Sequence, residues 1–418
     1  MEKFIINGGK KLEGKVEIES AKNAVLPIMA GAILTDEEVI IRKCPKIADV
    51  FNMIKILESL GVKVLWQENN LLINACTINK AEISKNLTEA LRSSIFMLGG
   101  LLSRFNKAKI SFPGGCKIGK RPVDIHIEGL QKLGVSVEET EEDLICAVDK
   151  VKNEKVCLRF PSVGATINLI FASIFCNGSV ELINVAREPE IVNLIDFLNS
   201  LGAKIYGGGS SKIVIKGVKK LHGGEFTPIF DRIEADTFVF ATIMTGGKLE
   251  IYNSFYKNIY SLRNKFFNNT CKVGYKNGII CIKADCSFKG IKISTGPYPN
   301  FPTDLQSQLT TLCAVANGNS VIKETVFENR FLYVEELKKL GAKIKVNNNT
   351  AFVKGVKKLV GEEVNATDLR GGVSLILAGL VAEGQTNINN IYHIQRGYAN
   401  IENKFSMLGA NIKKEFIT

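Results

Sequence analysis

Ten cysteines are scattered along this chain without a single C-x-x-C pair, and only three histidines, His126, His222 and His393, could join them around a metal. Neither a zinc site nor a disulfide framework has its usual spacing, so no metal is expected. The apolar runs, such as residues 373–382, stop far short of the roughly 18 residues that span a bilayer and read as buried core helices. Residues 1–7 lack the basic segment and long apolar stretch of a secretory signal, so the expectation is a cytoplasmic protein with no membrane partner. A formal charge of +12 favours an anionic partner, either a polyanion or a phosphorylated small molecule. The lysines are spread without an aromatic-interleaved cluster, which argues against nucleic acid.

What is present describes a globular α/β protein. Hydrophobic residues make up 45% and charged residues 23%, and 418 residues exceed what one core comfortably holds, so two domains are expected. The pattern Leu-Gly-Val/Ala-x-Val/Ile recurs at Leu60, Leu133, Leu201, Leu340 and Leu408, at spacings of 68 to 73 with one gap of 139. That gap is a double period, and a drifted copy falls near residues 269–273. Six units of about 70 residues fill the chain. Each Leu-Gly ends an amphipathic stretch, such as Ile47, Val50, Ile54, Leu57 and Leu60, and precedes β-branched residues, so each unit holds a surface helix followed by strands.

A second helix per unit is apolar nearly all round and therefore buried: residues 24–34, 93–102, 165–176, 237–245, 309–316 and 373–382. Polar and charged residues open these helices: Lys22-Asn23, Arg92, Ser162-Val163-Gly164, Glu234, Asp304, and Asp368-Leu369-Arg370. Helix N-termini attract anions. The acids have an alternative reading as ordinary N-terminal caps, whereas Lys22 and Arg92 are unfavourable there unless an anion is close.

The run Pro113-Gly114-Gly115-Cys116-Lys117-Ile118-Gly119-Lys120-Arg121-Pro122 sets one thiol among three glycines and three cations. Cations favour a thiolate and attract anionic substrates, which makes Cys116 a candidate reactive group. A basic surface turn with an incidental cysteine is the alternative.

These residues, with Ala21 to Pro27, Val123-Asp124-Ile125-His126, Ser162 to Thr166, Ala186 to Glu190, Asp231 to Glu234, Phe301 to Asp304, Glu324 to Arg330 and Tyr392 to Tyr398, resemble the UDP-N-acetylglucosamine 1-carboxyvinyltransferase family over essentially the full length. The resemblance implies a two-domain inside-out α/β barrel of six units, with 22–229 as one domain and 1–21 plus 230–418 as the other, and an active site in the interdomain cleft. It implies transfer of the enolpyruvyl group of phosphoenolpyruvate to the 3-hydroxyl of UDP-N-acetylglucosamine, the first committed step of peptidoglycan synthesis, without a cofactor. Cys116 matches the family's proton donor, which also forms an adduct with phosphoenolpyruvate, and Asp304 matches its proposed base. Lys22, Arg121 and Arg396 match the phosphoenolpyruvate cations. Arg92 falls in the substrate site, Arg370 is a further cation, and Asn23 helps hold both substrates. Arg121, Pro122, Val123, Asp124, Ile125, Ser162, Val163, Gly164 and Val326 fall at nucleotide-sugar contacts.

Three positions depart from the family pattern: Glu19-Ser20 before Ala21, Phe160-Pro161, and Asn268-Asn269 in place of the fourth Leu-Gly. The alternatives are an inactive or regulatory paralogue, against which the set Lys22, Cys116, Arg121, Asp304 and Arg396 counts, and the sister enzyme acting on shikimate 3-phosphate, which lacks this Cys loop.

Overall fold

The computed structural model describes residues 2–112, 123–254, 259 and 271–416. They divide into two compact units, one drawn from residues 20–229 and the other from 2–19 and 230–416. The sequence expectation put the first break after residue 21. Ser20 and Ala21 instead belong with the 20–229 unit, where the Ala21 N–H donates to the Ile229 carbonyl at 2.8 Å.

Six core helices carry the architecture: Lys22–Gly31, Met97–Phe105, Val163–Ser173, Arg232–Thr245, Gln306–Ala314 and Leu369–Val381. In the 20–229 unit the second packs against the first and the third, and in the other unit the last three pack pairwise. The approach is closest at Gly99, where an added Cβ would lie 2.4 Å from the Asn168 carbonyl oxygen, so no other residue fits there. Asn168 fastens the same crossing, accepting from the Gly99 N–H at 2.8 Å and donating to the Ile95 carbonyl at 2.9 Å.

Among the described residues there are six four-stranded sheets, and all six have one plan. In the fifth, Asn319–Lys323 leads to the surface helix Val334–Lys339, and the hairpin of Lys343–Asn347 and Thr350–Lys354 then returns to pair antiparallel. Lys292–Ser294 pairs parallel on the remaining edge. The sixth sheet differs only in connectivity: its inner strand is Glu2–Asn7, seated between Gln385–Asn389 and Asn411–Phe416 with Ile6 opposite both Thr386 and Ile412.

The Leu-Gly repeat is the helix stop that the spacing predicts. Gly61, Gly134, Gly202, Gly341 and Gly409 all lie in the left-handed region with φ between 89° and 100°. The preceding leucines close the surface helices with buried side chains, and glycine follows because a Cβ is strained in that conformation. Of the drifted fourth copy near 269–273, residues 269 and 270 lie outside the described residues, and Cys271 to Val273 open the strand Cys271–Lys276.

Two sequence expectations need correction. The fifth core helix is not apolar: Gln306, Ser307, Gln308, Thr310 and Thr311 are all buried. Its hydroxyls are bonded, with Thr310 and Thr311 donating to the carbonyls of Gln306 and Ser307 one turn back, while the buried Gln306 Nε2 finds no partner among the described residues. Apolar neighbours in the sequence predict that Cys44, Cys76, Cys146, Cys157, Cys176, Cys271 and Cys313 pack as small hydrophobes, yet Cys76 and Cys157 are exposed and Cys271 half-buried, while Cys44, Cys146, Cys176 and Cys313 are buried. Among the described residues no helix is long and apolar enough to cross a membrane, and no group of His, Cys, Asp and Glu could hold a metal.

Candidate active site

The starts of the core helices are built in two ways. The third, fourth and sixth are capped by Ser162, Asp231 and Asp368, whose side chains accept N–H bonds from the first turn. The first has Ala21 at the cap position and no side-chain cap, and Lys22 begins the helix. Its ammonium is not waiting on an anion alone: it pairs at 3.1 Å with Asp49, a buried carboxylate in the first turn of the surface helix Ala48–Ser59. This partner answers the electrostatic objection to a lysine at a helix start. An anionic ligand at Lys22 would sit in a charge balance that Asp49 already shares. Asn23 is the second residue of the same helix.

Arg92 opens a 3₁₀ turn, Arg92–Phe96, that leads into the second core helix. Its charge acts on His126, which is 7% exposed. Asn168 assigns the imidazole's tautomer. Because its Oδ1 accepts from Gly99, its Nδ2 is the donor to His126 Nδ1 at 2.8 Å, and the ring proton is on Nε2. Burial, reinforced by the Arg92 charge and opposed by Asp124, lowers the His126 pKa to about 4, so the ring is neutral. The Nε2–Cε1 edge lies against Gly164, where an added Cβ would come within 2.9 Å of both atoms. His126 thus gathers Arg92, Asp124 and Gly164 around one neutral ring.

Val123 is the cap residue of the helix Asp124–Lys132, and the Ile125 N–H donates to Asp124 Oδ1 at 2.8 Å. The other carboxylate oxygen of Asp124 pairs with Arg159, whose Nε also approaches Glu128 at 3.5 Å. All three side chains are substantially exposed, so the pairing contributes little stability. Val163 is the first residue of the third core helix, directly after its Ser162 cap.

The densest group of functional candidates is in the other unit. Asp304 lies in the 3₁₀ turn Thr303–Leu305 at the head of the fifth core helix. Both of its carboxylate oxygens are engaged. Arg330 Nη2 donates to Oδ1 at 3.0 Å and Arg370 Nη2 donates to Oδ2 at 2.9 Å. The two guanidinium groups are themselves buried and held: Arg330 by the Thr303 carbonyl and by Asp368 at 3.8 Å, Arg370 by the Tyr398 hydroxyl at 3.0 Å. Two carboxylates and two guanidiniums balance in charge, the condition under which such groups are tolerated in an interior.

Glu324 ties this group to Val326. Its buried carboxylate accepts from the hydroxyls of Thr295 and Thr303 and from the N–H groups of Val326 and Phe327, at 2.8 to 3.2 Å. Arg396, half-buried, closes the short helix Tyr392–Gln395. Glu234 belongs to a different cluster, accepting from Lys404 at 2.7 Å and from the Glu19 N–H at 2.9 Å, with Glu19 also 3.5 Å from Lys404. Burial raises the Glu234 carboxyl and the ammonium beside it opposes that rise.

Cys116, Arg121 and Pro122 lie outside the described residues. Of the other thiols, burial pushes Cys146 and Cys313 up to about 12 and Cys271 up to about 11, so these three stay protonated and unreactive at neutral pH. Reasoning from sequence passed over Asp49, Arg330 and Tyr398 as functional residues. Asp49 had a readable signal in its first-turn position; Arg330 and Tyr398 end the family-like runs from Glu324 and Tyr392, but only the tertiary fold brings them to the Asp304 group.

The chain matches the EPSP synthase (3-phosphoshikimate 1-carboxyvinyltransferase) family over residues 6–405. The enolpyruvyl transferase NikO from Streptomyces tendae shares the fold with a TM-score of 0.89 at 23% identity, over 100% of this chain and 99% of that one. Fold and family together define an enolpyruvyl, or carboxyvinyl, transferase. Sequence similarity is higher to UDP-N-acetylglucosamine 1-carboxyvinyltransferase 2 of Caldanaerobacter subterraneus subsp. tengcongensis, 45% identical over 413 residues and 99% of each chain. UDP-N-acetylglucosamine 1-carboxyvinyltransferase 1 of Clostridium perfringens is 43% identical over 424 residues, 99% of this chain and 100% of that one. The chain belongs to the UDP-N-acetylglucosamine 1-carboxyvinyltransferase family.

Proposed function

We propose that this transferase moves the enolpyruvyl group of phosphoenolpyruvate to the 3-hydroxyl of UDP-N-acetylglucosamine with release of phosphate, as the committing step of cell-wall peptidoglycan synthesis in the cytoplasm. The observation that carries the reading is similarity along the whole chain to relatives named for that activity. Both partners are anionic small molecules, in keeping with the positive net charge, and the reading includes no nucleic acid, membrane or cofactor.

The reaction is an addition followed by an elimination. The sugar oxygen bonds to C2 of phosphoenolpyruvate while C3 gains a proton; C3 then loses a proton as the C2–O bond to phosphate breaks. Cys116 is the acid at C3 and Asp304 the base for the hydroxyl. A carboxylate has about four lone-pair sites, and the two arginines use two of those on Asp304, so acceptor capacity remains for the hydroxyl proton. Lys22, Arg121 and Arg396 bind phosphoenolpyruvate, with Arg370 as a further cation. Asn23, Arg92, Arg121 to Ile125, Ser162 to Gly164 and Val326 bind the nucleotide-sugar. The reading thus draws on residues of both units as the two domains of one enzyme.

Phosphate release from phosphoenolpyruvate tests this, with UDP-N-acetylglucosamine and shikimate 3-phosphate offered separately to the wild type and Cys116→Ser. Release that needs the nucleotide-sugar and is nearly abolished in the variant is expected. Release with shikimate 3-phosphate alone assigns the sister reaction, and release with neither assigns an inactive paralogue.

A further inference from the structure

We infer that Tyr398 is a positioning residue for the transfer, acting through Arg370 to hold Asp304 in the orientation in which it takes the hydroxyl proton; this rests on the reading of Asp304 as the base. Arg370 Nη1, Thr237 Oγ1 and, at 3.5 Å, Gln308 Nε2 meet the Tyr398 oxygen, and only one direction of bonding gives every hydroxyl proton an acceptor. Thr237 donates its hydroxyl proton to the Ile233 carbonyl at 2.8 Å, the usual back-bond of a helical threonine. At the 2.9 Å contact with Tyr398, Thr237 is therefore the acceptor and the phenol the donor. Arg370 Nη1, which can only donate, then meets a Tyr398 lone pair at 3.0 Å. The same guanidinium donates through Nη2 to Asp304.

A directed chain thus runs from the backbone of the fourth core helix through Thr237, Tyr398 and Arg370 to one oxygen of Asp304. Every member is buried except Asp304, whose side chain is 28% exposed. That is the arrangement a base needs: a fixed support behind, and an accessible face for substrate. The Arg370 guanidinium also lies 5.4 Å from the centre of the Tyr398 ring, so the tyrosine holds it by ring face as well as by oxygen. Tyr398→Phe keeps the ring and removes only the oxygen, which isolates the chain from the packing. Arg330 still holds the other oxygen of Asp304, so the loss should be partial rather than complete.

A positioned base contributes roughly 10²- to 10⁴-fold to rate, and losing one of its two anchors is expected to lower kcat about tenfold. KM for UDP-N-acetylglucosamine should stay within about twofold, since neither Tyr398 nor Arg370 is assigned to the nucleotide-sugar. Thr237→Val, which removes the next link and retains the shape, should lower kcat in the same direction by less. A fall in kcat with unchanged KM for UDP-N-acetylglucosamine in either variant, beside a far larger fall in Asp304→Ala, supports the relay. Wild-type kcat in Tyr398→Phe and Thr237→Val, with Asp304→Ala inactive, overturns the relay and leaves Asp304 as the base. Losses of kcat that follow the thermal midpoint and are accompanied by rising KM for UDP-N-acetylglucosamine also overturn it, as the signature of a structural role alone. Near-normal turnover in Asp304→Ala overturns both the base and the relay built on it.

Discussion

At the scale of single residues, His126 shows how burial sets the protonation state of a titratable group. The imidazole is neutral at a pH where a free histidine is partly charged, because burial lowers its pKa from 6.5 to about 4. Between these values the unfolded chain binds a proton that the folded chain refuses. Stability from this residue is therefore fully present above about pH 6.5 and is lost as the pH falls toward 4, at most roughly 3 kcal/mol in all. In urea titrations the stability difference between wild type and His126→Gln should shrink by about 2 kcal/mol from pH 7.5 to pH 5; a constant difference would mean that the ring titrates alike in the folded and the unfolded chain. For Cys116 the family resemblance implies alkylation by the epoxide fosfomycin. Time-dependent loss of activity, slowed in Cys116→Ser where residual turnover permits measurement, is the expected outcome, and full activity after prolonged exposure contradicts an accessible thiolate.

At the scale of elements, the period of about 70 residues was legible because its two markers have local physical causes. Leucine followed by glycine is what a surface helix needs to stop over the core, and the left-handed φ of all five glycines bears that out. Helix starts were less legible. The fourth core helix begins at Arg232, five residues before the apolar run, because the Asp231 cap rather than the pattern sets its end. The fifth hid its polar interior, whose bonds reach the Arg370 carbonyl and Tyr333 in addition to its own backbone. Neighbouring glycines of the second core helix give a test of the packing. Gly99→Ala drives a Cβ to 2.4 Å from backbone of the third core helix and should cost about 3 kcal/mol, seen as a lowered thermal midpoint. Gly100→Ala meets the movable tip of Ile33 at 3.0 Å and gains helix propensity of about 1 kcal/mol, so its midpoint should hardly change. Equal losses at both sites would contradict the close crossing at Gly99.

At the scale of the whole molecule, the sixth sheet is completed by the strand at the other end of the sequence. Glu2 lies opposite Phe416, where the first and fifth sheets have two-residue hairpins, Gln67 opposite Asn70 and Asn347 opposite Thr350. A permuted chain that joins 416 to 2 through a short Asn-Gly turn, with new ends in the exposed turn at Glu68 and Asn69, should fold with an unchanged circular dichroism spectrum and a midpoint within a few degrees. Collapse of that protein would show that the sixth sheet depends on the natural connection. Residues 2–19 join the unit of 230–416, so the chain's first elements are placed by partners more than 200 residues away.

Local chemistry wrote into the sequence everything with a short range: six repeats, surface helices and their glycine stops, buried helices, and a cysteine set among cations. The family motifs singled out Lys22, Asp304 and Arg370 as residues without saying what each would touch. Only tertiary structure decided that Lys22 faces Asp49, that two buried arginines share the oxygens of Asp304, and that Tyr398 stands behind one of them. The physical reason is range. A cap or a turn is settled by neighbours within a few residues, whereas the partners of a buried charge are chosen by whichever segments the core brings together, here residues 237, 304, 330, 368, 370 and 398.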